Sequence, residues 1–136
     1  MKPAVLFICL GNSCRSIMAE ALARHLLADS LSATSAGLQP LGFVAPETLE
    51  VLAELGVSPA GLYSKGLDAV TLPDFRLIIN LTEQAVSAYL PSPCRERLLH
   101  RPVPDPYRGS LDDYRRARDA IRQLILTEIC GLLAIG

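Results

Sequence analysis

Cys9-Leu10-Gly11-Asn12-Ser13-Cys14-Arg15-Ser16 brings a thiol, a Gly-Asn pair, hydroxyls and a guanidinium into one short segment. An apolar run, Ala4 to Cys9, leads into it and a helical pattern leaves it, so the segment is a loop between a strand and a helix N-terminus. Such a loop aims several backbone N–H groups and the helix dipole at one point, which makes an anion site. Gly11 has no Cβ and Asn12 tolerates left-handed dihedrals, so the turn can close until those amides converge. Cys9 enters that positive field from the strand side, where the thiolate, the nucleophilic form, is favoured. Arg15 falls in the first helical turn, and its planar guanidinium can grip two oxygens of a bound oxyanion. Ser16 can donate its hydroxyl to the sulfur. The implied chemistry is capture of a phosphate-like anion with an attacking atom at the base of the cradle. The C-x5-R spacing alone would equally suit a buried strand cysteine and a surface arginine; the Gly-Asn pair, Ser16 and the strand-turn-helix context separate the two.

The elements that must position this loop alternate along the chain. Ala4–Cys9 reads as a strand covered on both faces. A helix follows from about Ser16 to Ala28, with Met18, Leu22 and Leu26 on one face. Leu31–Ala36 is a second strand ending at Gly37. Pro46-Glu47 opens a helix that Gly56 closes, and Ser58 to Pro73 holds at most a helical turn near Leu67. Phe75–Leu81 is the next buried strand, Glu83–Leu90 a short helix, and Arg97–Val103 a fourth strand. Pro102, Pro104 and Pro106 force an extended loop. From a Ser110 cap a long helix runs on, with Tyr114, Ala117, Ile121, Leu124 and Ile125 on one face, toward the last few residues. Such alternation predicts an α/β fold, one three-layer domain over residues 1–136 with a parallel sheet between helices. Ligands of such sheets sit at the carboxyl ends of strands, where both Cys9–Ser16 and Pro104–Gly109 fall.

Bulk properties narrow the function. The chain has 136 residues, 50% of them apolar and 20% charged, enough for one core. A net charge of −1 gives no basic field for nucleic acid. Neither Ala4–Leu10 nor the tail after Leu124 is long enough to read as a membrane span. With no export signal read at the N-terminus, the four cysteines point to a cytoplasmic, reducing setting rather than a disulfide framework. Cys130, His25 and His100 read as structural, no metal-ligand spacing occurs among Cys, His, Asp and Glu, and no cofactor is implied.

FICLGNSCRSIMAE resembles the N-terminal signature of the low-molecular-weight protein tyrosine phosphatase superfamily, which includes thioredoxin-coupled arsenate reductases. The resemblance continues in Ser35-Ala36-Gly37, in Ser64-Lys65-Gly66-Leu67-Asp68 and in Pro104-Asp105-Pro106-Tyr107. It implies a four-stranded parallel sheet flanked by helices, Cys9 as nucleophile, Arg15 as phosphate clamp and Asp105 as general acid. Leu10, Gly11, Asn12, Ser13, Cys14 and Ser16 complete the phosphate-binding loop, and Asn12 is expected to hold its shape and contact Ser35. The chemistry of Asp105 follows independently: transfer of a phosphoryl group to Cys9 needs a proton on the leaving oxygen, and hydrolysis of the thiophosphate needs a base for water. One carboxyl over the loop serves both steps, and Pro106 limits its freedom, although Asp-Pro by itself is also a common turn. Tyr107 forms either a wall for an aromatic ring or an ordinary loop tyrosine.

The chain departs from both branches of that family. Thr82 and Tyr89 occupy the places where the reductases carry their second and third relay cysteines, while Cys94, a few residues on, is either a displaced resolving thiol or a bystander. Ile17 stands where phosphatases usually have Pro, Arg108 where many have a second aromatic, and Pro40–Val44 lacks the Trp or Tyr that often lines the cleft. Cys14 either traps an oxidised Cys9 as a disulfide or packs as a small apolar residue. The expectation is a cysteine-dependent phosphatase acting on a phosphorylated protein or a small aryl phosphate, binding oxyanions such as phosphate, sulfate or arsenate. The alternatives are an arsenate reductase using Cys9 with an external thiol, and a module that binds or carries phosphate without hydrolysing it.

Overall fold

In the computed structural model, which describes residues 2–134, the strands β1 (Ala4–Cys9), β2 (Ser32–Gly37), β3 (Leu77–Asn80) and β4 (Leu98–His100) form one parallel sheet in the order β2-β1-β3-β4. β1 is central because its residues from Val5 to Cys9 are buried, and a strand covered on both faces must be paired on both edges. The register sets Cys9 opposite Gly37 and Ile8 opposite Asn80, so the phosphate loop leaves the sheet where the chain order reverses.

The long helices α1 (Arg15–Leu26), α2 (Pro46–Ala53) and α4 (Leu111–Leu124) bury their apolar residues in one cluster with Val5, Phe7 and Ile79. The opposite face, Leu6, Ile8, Ala36 and Ile78, is closed by Phe75, Leu90 and Cys94. Single helical turns serve there: 3₁₀ turns at Leu67–Ala69 and Leu72–Asp74, and α3 (Ser92–Arg95). The fold is the expected four-stranded α/β layer structure, with its second helical layer reduced to turns. Alternate residues of a strand face opposite sides, which is why the two clusters share no β1 residue.

Four expected elements differ. The helix expected over Glu83–Leu90 is only a 3₁₀ turn, Ser87–Tyr89, because the Thr82 side chain and the Asn80 amide occupy the Gln84 backbone N–H and C=O. The third and fourth strands are shorter than expected, and a helical turn at Ser92–Arg95 precedes β4. After Leu124 the last helix widens into a π turn, Ile125–Ile129, before α5 (Cys130–Leu132); the final two residues of the expected helix lie outside the described residues. The N-terminus of α4 is as expected: Ser110 Oγ accepts from the Asp113 N–H and the Asp113 carboxylate accepts from the Ser110 N–H, a capping box.

Candidate active site

The phosphate loop is shaped from outside by its carbonyls. Those of Cys9, Leu10, Gly11 and Ser13 accept from the N–H groups of Leu38, Gln39, Leu41 and Ala45, and Thr48 Oγ1 adds a second bond to Ser13 at 2.9 Å. Because a planar peptide points its N–H opposite its C=O, each outward carbonyl turns the following amide inward. Asn12 makes the turn possible with φ +46°. Gly37 makes it compact, since a Cβ there would stand 2.8 Å from both Asn12 N and Leu10 O. Cys14 is the N-cap of α1, makes no side-chain cap bond, and no acid lies in the first turn. The positive end of that helix is therefore left for an anion.

Cys9 is buried, with its Sγ 2.9 Å from Ser16 Oγ. Asn12 Nδ2 donates to the same hydroxyl at 2.7 Å, which leaves the Ser16 proton free for the sulfur. The Asn12 carbonyl oxygen accepts from the Lys65 N–H at 2.8 Å. The expected contact between Asn12 and Ser35 is not made: Ser35 instead donates to Glu20 at 2.5 Å. Glu20 is fully buried and is paired with Arg24 at 2.6 Å and with the Lys65 ammonium at 3.7 Å. Burial pushes that ammonium down and Glu20 opposes the shift. Lys65 thus straps the loop from behind, through its backbone at Asn12 and its side chain at Glu20.

Arg15 is anchored at the sheet edge, where Nη1 donates to the carbonyls of Leu81 (3.2 Å) and Val103 (3.0 Å). Nη2 lies 3.5 Å from Asp105 Oδ2. Arg15 Nε and Ser13 Oγ are buried polar atoms with no partner among the described residues, and both residues line the cleft that Cys9 opens into. Leaving two such groups unmatched is costly unless a ligand meets them. Asp105 is half exposed on the facing wall and accepts from the Tyr107 N–H at 3.0 Å. The cleft, about 170 Å³, is completed by Leu10, Gly11, Cys14, Gln39, Leu41 and Tyr107.

Cys9, Arg15, Asp105, the loop residues and Tyr107 therefore converge, whereas Ser35 stands behind the loop. Sequence reasoning missed Leu41, Gln39, Gly37, Glu20 and the part played by Lys65. Glu20, Gly37 and Lys65 lay in segments already marked by the resemblance; nothing in the residue types of Gln39 and Leu41 singled them out. Thr82 closes the end of β3 by donating both its N–H and its hydroxyl to Asn80 Oδ1. Cys94 is sealed beneath the sheet face opposite to the cluster that holds Cys14. Among the described residues no three His, Cys, Asp or Glu side chains gather as a metal site, and no helix is long and apolar enough to cross a membrane.

Residues 4–129 match the model of the family described as low molecular weight phosphotyrosine protein phosphatase. An arsenate reductase of Staphylococcus aureus (strain Newman) is 32% identical over 121 residues, covering 89% of this chain and 92% of that one. Among solved structures, an arsenate reductase in the phosphate-binding state superposes with a TM-score of 0.84 at 29% identity, covering 98% of each chain. A YwlE arginine phosphatase mutant with a phosphorylated active-site serine superposes with a TM-score of 0.84 at 26% identity, over 96% of this chain and 95% of that one.

Proposed function

For a chain that belongs to the low molecular weight phosphotyrosine protein phosphatase family, we propose hydrolysis of aryl phosphates or phosphotyrosine through a phosphocysteine. The observation that carries this reading is the Cys9 sulfur, hydrogen-bonded to Ser16 at the foot of a cleft walled by Arg15 and Asp105. Cys9 as thiolate attacks phosphorus while Asp105 protonates the leaving oxygen, so the S–P bond forms as the P–O bond breaks. The Ser16 hydroxyl and the inward amides stabilise the thiolate before attack and after its release. Arg15 offers its Nε and Nη2 edge to two phosphoryl oxygens while Nη1 stays on the two carbonyls. Asp105, now a carboxylate, takes a proton from water as that water attacks phosphorus, and the S–P bond breaks to release inorganic phosphate. Leu41 and Tyr107 supply the apolar walls for an aromatic leaving group.

The arsenate reductases that align with the chain favour a second reading. An internal relay is disfavoured, because Thr82 has no thiol and Cys94 is sealed on the other face. A reductase built this way would use an external thiol, which attacks the Cys9 arsenate adduct at sulfur, forming a mixed disulfide as arsenite leaves with the electron pair. A second thiol then frees Cys9 and completes the two-electron transfer. We place either activity in the reducing cytoplasm, where the Cys9 thiol stays available as a nucleophile.

Purified protein assayed on p-nitrophenyl phosphate, and on arsenate with thioredoxin or a low-molecular-weight thiol in turn, separates these readings. Aryl phosphate turnover abolished by Cys9→Ser, without arsenate reduction, is the expected result. Arsenate reduction with the small thiol alone would make the protein a reductase. Silence in both assays would favour a module that only binds or carries phosphate.

A further inference from the structure

Tyr114 lies in the first turn of α4, a turn fixed by the Ser110–Asp113 capping box, and only 1% of it is exposed. A phenylalanine would fill such a site without a polar atom, so a hydroxyl there must find partners. It finds one on the phosphate loop: Cys14 Sγ donates to Tyr114 Oη at 3.6 Å. The Asp105 loop is bonded back toward the same helix start, the Tyr107 N–H donating to Asp105, the Gly109 N–H to the Pro106 carbonyl, and the Ser110–Asp113 box following directly. Arg108 has φ +67°, the left-handed region that a residue with a Cβ leaves unless something holds it.

The direct tether between the phosphate loop and the acid itself is the contact of Arg15 with Asp105 at 3.5 Å, while the Arg15 bond to Val103 reaches only the root of the Asp105 loop. In the reaction proposed above that tether is lost, because Arg15 turns its charge to the oxyanion and Asp105, as the acid, carries a proton. A second tether independent of both charges would keep the acid in place at that moment. Burial pushes both the Cys14 thiol and the Tyr114 phenol up, so both stay protonated around neutral pH.

We infer that Tyr114 is a positioning residue, whose hydroxyl ties Cys14 to the capped start of α4, into which the Asp105 loop runs, and thereby holds Asp105 over the cleft. This rests on the phosphatase reading, with Asp105 as its acid. The test is Tyr114→Phe, which keeps the ring, assayed by kcat/KM on aryl phosphates whose leaving phenols differ in acidity. A mispositioned acid costs most where the leaving oxygen most needs a proton. The expected loss is about tenfold on phenyl phosphate and under about twofold on 2,4-dinitrophenyl phosphate. Combined with Asp105→Asn, Tyr114→Phe should cost nothing further on phenyl phosphate. A loss of equal size across the series, an additive loss in the double variant, or no loss at all would overturn the assignment. If the wild-type protein hydrolyses no aryl phosphate, the phosphatase reading fails by itself and amide hydrogen exchange decides the tether. Faster exchange at Tyr107 and Gly109 in Tyr114→Phe, with the α4 amides unchanged, supports it; unchanged protection at those two amides overturns it.

Discussion

Arg15 serves two ends of one side chain: Nη1 is held by the carbonyls of Leu81 and Val103, and the Nε and Nη2 edge faces the cleft. A lysine could satisfy a carbonyl or an oxyanion but has no planar fork with which to hold both. Arg15→Lys should therefore lower kcat/KM for p-nitrophenyl phosphate by at least about a hundredfold; activity within a few-fold of wild type would show that the fork is not used. Asp105→Asn keeps the shape of the loop and removes the proton. Its loss should grow as the leaving phenol becomes more basic, reaching about a hundredfold or more on phenyl phosphate, and a flat profile across phenols would remove Asp105 from the acid's role. Cys9, Arg15 and Asp105 were legible in the sequence because thiol, guanidinium and carboxyl each have a chemistry that an apolar or neutral residue cannot supply. Leu41 and Gln39 were not, since lining a cleft demands only shape and place, which many residue types satisfy.

At the scale of elements, the phosphate loop owes its form to neighbours distant in sequence: the segment from Leu38 to Thr48 takes its carbonyls, and Lys65 takes Asn12. Gly37 sits where β2 passes beneath it. Gly37→Ala would drive a Cβ against backbone atoms of Leu10 and Asn12, which cannot rotate aside as a flexible side chain does. Overpacking of this kind costs about 1–3 kcal/mol, so the urea midpoint should fall, and aryl phosphate activity should fall beyond the loss of folded protein. An unchanged midpoint would mean that the loop moves freely away from β2. The first helix and the capped last helix were readable from local signals, namely periodicity and the Ser110 cap, and the stretch before Pro73 was read as holding no more than a turn near Leu67. The stretch after β3 was misread as a helix because its residue types allow one, while the Asn80 and Thr82 side chains draw its backbone into their own hydrogen bonds.

Across the whole molecule, α2 and α4 are joined by Glu54, which accepts from Arg115 and Arg118, while Arg118 also reaches the Val51 carbonyl. The hydrogen bond from Arg115, followed by that from Arg118, holds the Glu54 carboxyl below its ordinary 4.5, at about 2. A carboxylate whose folded value is depressed adds stability that is complete above its unfolded value and lost as pH falls through the folded one. The thermal midpoint of Glu54→Gln should thus lie below that of wild type at pH 7, and the gap should close between about pH 4.5 and pH 2. A gap that persists at pH 2 would assign the effect to packing instead. The sequence by itself determined the alternation of strands and helices, the strand-loop-helix that carries Cys9 and Arg15, and the place of Asp105 after the last strand. These are written in periodicity, turn residues and reactive side chains, all of which act over a few neighbouring positions. Only the tertiary structure decided that three long helices share one face, that Lys65 and Glu20 brace the loop from behind, and that Tyr114 stands between the two loops of the cleft. Those contacts join residues far apart in the chain, and the local pattern of neither partner records which distant group will be folded against it.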